Sequence, residues 1–261
     1  MSWSAVVLGV GAGLLVAVVT VPVGVSGAVF LLPVQLSVFG VPSPAVTPTN
    51  LLFNVIANPG ALLVYGKRRY LGGALTRQLV IGTLPGVVIG ALIRVFLVPG
   101  PHVFRLIVAV VLLPVGMWLW VQVLRPRPPG RSRRVPSGRV IAVLGVVVGI
   151  VGGIYGIGGG SLLGPILVGR GMPVATVAPA ALTSTFVTSI VGALAYSLLA
   201  VVGTGQIAPD WPLGLACGLG GLLGGYLGAY LQPHLPDAAL RLLLGGLAIA
   251  LAILYTVQAL T

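Results

Sequence analysis

Apolar residues occur in long blocks separated by short polar or proline-rich stretches. In order, the blocks cover about Trp3 to Phe39, a segment ending at Tyr65, Gly73 to Val98, Phe104 to Leu124, residues 140 to 169, Pro173 to Val202, Trp211 to Leu231 and Ala238 to Leu260. None alternates polar with apolar positions, which argues against a transmembrane β-barrel. A bilayer-spanning helix needs roughly 20 apolar residues, so the pattern predicts an all-α integral membrane protein of about eight full transmembrane helices. Two blocks depart from this plan. The first is too long for one span and is interrupted by Pro22, Gly24 and Gly27; the fifth contains Gly156 to Pro165, GIGGGSLLGP, with five glycines and a proline in ten residues. Both predict Gly/Pro-broken segments. Backbone that leaves helical geometry at membrane depth must be buried in protein or line a wet cavity, so these breaks are the first candidates for a binding site.

Composition narrows the class. Only 6% of residues are charged and 57% are hydrophobic, too little charge for a soluble surface and ordinary for a multi-pass membrane protein. The net charge of +12 comes from thirteen arginines and one lysine against Asp210 and Asp237. In a soluble chain this would suggest nucleic acid; in a membrane chain, clustered arginine sets orientation, so the expected surroundings are a lipid bilayer and no nucleic acid. The densest cluster, RPRPPGRSRRVPSGR (125–139), holds six arginines and four prolines and predicts a solvated cytoplasmic connector. It divides a first transmembrane repeat (1–124) from a second (140–261). The amino terminus lacks a basic region and predicts a first span rather than a cleaved signal. Cys217 stands alone in an apolar stretch, as a packing residue does.

The two halves match each other. GAVFLLP (Gly27 to Pro33) aligns with GGSLLGP (Gly159 to Pro165) at an offset of 132, Pro48 with Pro179 at 131, Tyr65 with Tyr196 at 131, and Gly86/Gly90 with Gly221/Gly225 at 135. Offsets this steady predict two homologous structural repeats. With four spans per half the repeats are parallel. If each broken run counts as two crossings, each half has five and the repeats are inverted. The inverted arrangement places twelve basic residues inside and two, Arg94 and Arg105, outside; the parallel one divides them ten to four. The inverted arrangement is favoured.

Enzymatic constellations are absent: no catalytic residue, metal site or cofactor motif is readable, and GIGGG lacks the Gly-Lys-Ser/Thr of a nucleotide loop. No Asp or Glu lies inside any apolar span. A cation or proton relay normally needs such a carboxylate, so a small anion fits the interior better. Neutral polar residues remain at depth. The first half supplies Gln35, Thr49, Asn50, Asn54 and Asn58, the second Ser161, Thr183, Ser184, Thr185, Thr188 and Ser189. The asparagines recur every four residues and share a helical face. Single Ser or Thr residues commonly bond their own helix, but buried amides are costly without partners. The glycine breaks at Gly24 and Gly27, and at Gly158, Gly159 and Gly160, add unpaired N–H groups where helices restart, and such ends bind anions. The candidate substrate-binding set comprises these glycines, the five first-half polar residues, and Ser161, Thr183, Ser184, Thr185 and Thr188.

The second-half stretch GIYGIGGGSLLGPILVGRGMPVATVAPAALTSTFVTSIVGALAY and its weaker first-half copy resemble the TauE/SafE sulfite exporter-like transporters, over nearly the whole chain. The first copy departs by carrying a single glycine pair, Gly24 and Gly27. The resemblance implies a multi-pass carrier in the bacterial inner membrane for sulfite, thiosulfate, sulfonates or other small organic anions. The expected mechanism is alternating access, with the site between the repeats. An anion channel, or a membrane scaffold or enzyme subunit, are the alternatives. Exact substrate, direction, coupling ion and oligomeric state are not encoded in any readable motif.

Overall fold

In a computed structural model, residues 2–68, 71–97, 102–124, 138–202 and 207–260 are described. They form ten α-helices, and no strand occurs among them. The first half contains α1 (Trp3–Thr20), a 3-10 turn (Val21–Val23), α2 (Ala28–Ser37), α3 (Ser43–Lys67), α4 (Ala74–Phe96) and α5 (His102–Leu124). The second contains α6 (Gly138–Tyr155), α7 (Gly159–Gly169), α8 (Val174–Val202), α9 (Trp211–Leu231), a 3-10 turn (Gln232–His234) and α10 (Asp237–Leu260). Residues 125–137, most of the expected basic connector, lie outside the described residues, as do residues 203–206. Gly138 and Arg139 already belong to α6.

Among the described residues, six helices are long and apolar enough to cross a membrane, and the chain is a multi-pass membrane protein. The six are α1, α4, α6, α8, α9 and α10. The 25 residues of α3 give it the length, but three asparagines dilute its hydropathy. At a rise of about 1.5 Å per residue, α2 and α7 reach only about half the hydrocarbon thickness.

Pro48 and Pro179 lie inside α3 and α8, each as the sixth residue of its helix, where each removes one i→i−4 hydrogen bond.

Small residues set the packing. A Cβ added at Gly82, Gly86 or Gly90 of α4 would meet the carbonyl oxygens of Ala142, Val146 and Ile150 on α6. The constant step of 60 makes α4 and α6 parallel, with backbones in contact. In the same way Gly220, Gly224 and Gly228 of α9 abut the carbonyls of Val10, Leu14 and Val18. Gly214 and Gly218 of α9 meet Leu52 and Ile56 of α3, and Gly60 of α3 meets Leu222. Thus α1, α3 and α9 run one way. On α8, Ser184 bonds Thr83 and Gly192 faces Val87 of α4, so α8 runs with α4 and α6. Because Leu51 of α3 meets Gly192 of α8 while Leu62 and Gly66 lie beside Phe186, α3 runs against α8 and the two triplets are antiparallel. The remaining pair, α5 and α10, is antiparallel too: Gly116 faces Ala248 and Ile249, while Trp120 Nε1 donates to Leu242 O at 3.0 Å.

The broken runs therefore double back. Because α1 and α3 start on the same side, α2 must turn back toward the side where α1 began. The pair α6 and α7 does the same from the opposite side.

Both aspartates are structural. The Asp210 carboxylate accepts from Leu213 N at 3.1 Å and caps α9. Asp237 opens α10 rather than lying in a loop; it accepts from Val174 N at 3.3 Å and pairs with Arg241 Nε at 2.6 Å. Arg241 also donates to Val168 O at 2.9 Å and Met172 O at 3.2 Å, clamping the end of α7 to the start of α10.

Candidate functional site

The second break is shorter than its composition suggests. Helix geometry stops after Tyr155 and restarts at Gly159, so only residues 156–158 are irregular and Pro165 lies inside α7. Gly156 and Gly24 hold φ of +71° and +76°, left-handed values that favour glycine. They are repeat partners at the offset of 132, and their neighbours correspond as well. A Cβ at Gly24 would fall 2.5 Å from Ala178 Cα, and one at Gly156 would overlap Thr47 O, where 178 and 47 differ by 131. Each break is therefore pressed against the other half's long central helix. Gly158, Gly159 and Gly160 face Thr185, Thr83 and Ala181, each closer than a Cβ would allow. Gly27 is looser, against Val16 and Phe53.

Polar side chains knot the two breaks together. Ser26, between Gly24 and Gly27, accepts from Ala28 N at 3.2 Å, satisfying the leading amide of α2. Its hydroxyl donates to Asn54 Oδ1, and the Asn54 Nδ2 donates to Gly156 O at 3.1 Å. Asn54 on α3 thus touches both breaks at once. From the other side, Ser161 in the first turn of α7 receives Ser26 N at 3.2 Å, donates to Ile157 O at 2.8 Å, and lies 3.2 Å from Thr185 Oγ1. Thr188 receives Gly159 N at 3.2 Å, satisfying a leading amide of α7. Ser184 bonds Thr83 of α4 at 2.9 Å.

Asn54, Ser184, Thr185 and Thr188 are all 0% exposed, so the knot is sealed from both sides. Beside Ser161, a narrow cavity of about 20 Å³ opens between α2, α7 and α10, lined by apolar residues including Val29, Leu162 and Leu247. It has room for about one water.

Other expected residues stand elsewhere. Asn50 is fully buried, and its Cβ lies against Gly156, but neither amide atom has a hydrogen-bond partner. Asn58 Nδ2 and its repeat counterpart Ser189 Oγ are likewise buried without partners. Gln35, farther along α2, is buried with both amide atoms unpartnered. Thr49 and Thr183 are not joined to the knot: Thr49 Oγ1 receives Asp210 N at 2.8 Å and donates to Ala45 O, and Thr183 bonds Pro179 O in its own helix. Two members were missed in the sequence. Ser26 lies inside the first break, where its neighbouring glycines could have flagged it. Thr83 is hidden in the stripe of Gly82 and Gly86, which reads as packing alone.

A bundle of apolar helices around two re-entrant breaks, sealed by neutral hydrogen-bonding groups, defines a polytopic membrane protein with a polar centre and no acidic group in it. The family comparison is specific: the model described as Sulfite exporter TauE/SafE matches residues 9–255, and the chain belongs to that family. No curated protein and no solved structure matches the chain.

Proposed function

We propose that the chain is a secondary carrier for a small sulfur-containing or organic anion of the sulfite, thiosulfate or sulfonate type, acting in the bacterial inner membrane by alternating access. The observation that carries this is the Asn54 bridge between the two breaks. Its donors and those of Ser26, Ser161, Thr185 and Thr188 surround two helix starts, with no carboxylate among them. Helix starts favour negative charge without a basic side chain. In the closed state described, hydroxyls of Ser26 and Thr188 hold amides that an incoming oxyanion would take over. The buried, unpartnered amide of Asn50 adds hydrogen-bonding capacity beside Gly156.

The family's description, sulfite export, supports the substrate class. Uptake of labelled sulfite into proteoliposomes tests it. A carrier gives saturable uptake that rises when unlabelled anion is preloaded; uptake without trans-stimulation would favour a channel, and none with any sulfur oxyanion or organic anion would remove the reading.

We further infer an eight-span topology with two inverted repeats. Support comes from the antiparallel triplets, the matching left-handed glycines, and the correspondence of α1 on α9 with α6 on α4. Lys67, Arg68, Arg77, Arg139, Arg170 and Arg241 then fall at one end, the cytoplasmic one. Each half gives its fourth helix, α4 or α9, to the first and third helices of the other half. The moving bodies are accordingly α1–α3–α9 and α4–α6–α8, meeting where α3 crosses α8, rather than the amino- and carboxy-terminal halves.

This division has a direct test. A Cβ at residue 9 falls 3.4 Å from the Sγ of Cys217, the chain's only cysteine. Gly9→Cys is expected to form a disulfide on oxidation, joining α1 to α9 inside one body. Transport should stay within about twofold of wild type, because a bond within a rigid body restrains no motion. Inhibition that reductant reverses would show that α1 slides on α9.

A further inference from the structure

Away from the central knot, the paired starts of α4 and α6 leave an open groove of about 350 Å³. Its α4 wall is a single helical face, residues 74, 77, 78, 81 and 82, at spacings of three and four. Its α6 wall is Gly138 and Ala142, one turn apart. The groove exists because these walls are small where the two helices begin. Deeper in, the backbones close on each other, and a Cβ at Gly82 would stand 3.2 Å from Ala142 O. At the starts, Ala74 and Gly138 put no large side chain between the helices. From residue 74 to residue 82 the groove runs about 12 Å along α4.

The lining is sorted by depth. Arg77 and Gln78 are the fourth and fifth residues of α4, and Ile81 and Gly82 lie one turn deeper. Among the described residues, neither Arg77 nor Gln78 has a hydrogen-bond or ion-pair partner. Neither carboxylate of the chain lines the groove: Asp210 caps α9, and Asp237 is engaged by Arg241. Arg139, the second residue of α6, is exposed next to Gly138, and the arginine-rich stretch 125–137 directly precedes that helix in the chain. The groove faces outward, since Ile81 is 58% exposed. Thr83, which bonds Ser184 in the knot, stands about 200° around α4 from Ile81, so groove and knot occupy opposite sides of the helix.

We infer that this groove binds one anionic phospholipid of the cytoplasmic leaflet, its phosphodiester on Arg77 and Gln78 and an acyl chain laid over Ile81, Gly82 and Ala142. A guanidinium presents a planar fork that matches two phosphate oxygens, and the Gln78 amide adds a neutral donor beside it. Basic residues at the membrane surface attract anionic headgroups, so Arg139 and the arginines before it strengthen the preference for a charged lipid. The volume and the mostly apolar lining with a few polar groups are those of a ligand site. A free phosphate would use Arg77 and leave the apolar floor empty, whereas a phospholipid uses both. Its chain also fills the gap that the small residues leave between α4 and α6. The inference depends on the basic end of the bundle facing the cytoplasm and not on the identity of the transported solute.

The test is native mass spectrometry of the full chain in a neutral detergent, titrated with dioleoyl phosphatidylglycerol or dioleoyl phosphatidylcholine, with inorganic phosphate as competitor. Wild type is expected to hold phosphatidylglycerol about tenfold more tightly than phosphatidylcholine. Arg77→Gln should lower the phosphatidylglycerol affinity about tenfold, as loss of one charged hydrogen-bonding partner predicts. Ala142→Leu fills the apolar floor, leaves every charge in place and should lower the affinity by a similar factor. Arg170→Gln, at the same basic end but outside the groove, should stay within about twofold. Equal losses in Arg77→Gln and Arg170→Gln would mean diffuse attraction to the basic end and would overturn the proposal. Binding that Ala142→Leu leaves intact and inorganic phosphate displaces would reveal an ion site and overturn it too, as would equal affinity for the two lipids. If Ala142→Leu does not fold, Ala74→Leu, at the exposed start of α4, fills the same groove in its place. No transport is measured, so these outcomes stand apart from those that test the carrier reading.

Discussion

Gly156→Ala should lower stability by about 2–5 kcal/mol and abolish transport. Two costs act together. Residue 156 sits at φ +71°, where an L-residue loses roughly 1–2 kcal/mol. The new methyl would also overlap Thr47 O and fall 2.9 Å from Asn50 Cβ. The first of these is backbone in the middle of the closed core, which cannot turn aside as a flexible side chain would. Forcing α3 away costs about 1–3 kcal/mol more, as overpacking usually does. It also moves the carbonyl of residue 156, to which Asn54 donates. Thermal unfolding in detergent and sulfite uptake are the measurements. Gly11→Ala is the control: that site lies within α1, and no atom comes within 4 Å of an added Cβ. It should be neutral or stabilising by about 0.5–1 kcal/mol. Equal losses in both variants would mean that the break's conformation is not what matters.

Much of this arrangement was legible in the chain because its signals are local and categorical. Uniform apolar blocks give an all-helical membrane protein. Glycine and proline inside two of them mark breaks, and the structure places a break in each. The four-residue spacing of Asn50, Asn54 and Asn58 gives one face of α3, and all three are buried there. What the chain could not disclose is which small residues face a break and which face another helix. Ser26 and Asn54 are 28 residues apart and meet only because α2 folds back across α3. Thr49, one residue from Asn50, points to α9 instead and holds Asp210. Helical periodicity separates those two by about 100° but does not say which direction holds the site.

Asn54→Asp should reduce anion transport at least a hundredfold at a stability cost of about 1–3 kcal/mol or more, and it separates an anion site from a merely structural knot. The substitution is nearly isosteric. The carboxylate still accepts from Ser26, but it cannot donate to Gly156 O and it carries a negative charge in a fully buried centre. Two like charges about 4 Å apart at an effective dielectric of about 20 repel by about 4 kcal/mol, which exceeds the roughly 2.7 kcal/mol that a hundredfold loss requires. Asn54→Leu removes both hydrogen bonds without adding charge, leaving a buried hydroxyl and a carbonyl to find other partners. It should cost about 1–3 kcal/mol of stability and roughly tenfold in transport. Ser184→Ala, which loses only the bond to Thr83, should fall between that and wild type. The order Asp, Leu, Ala, wild type in sulfite uptake, at matched expression and insertion, is the expected result. If Asn54→Asp matched Asn54→Leu in uptake while both were folded, the centre would be insensitive to negative charge, and the anion would have to pass elsewhere.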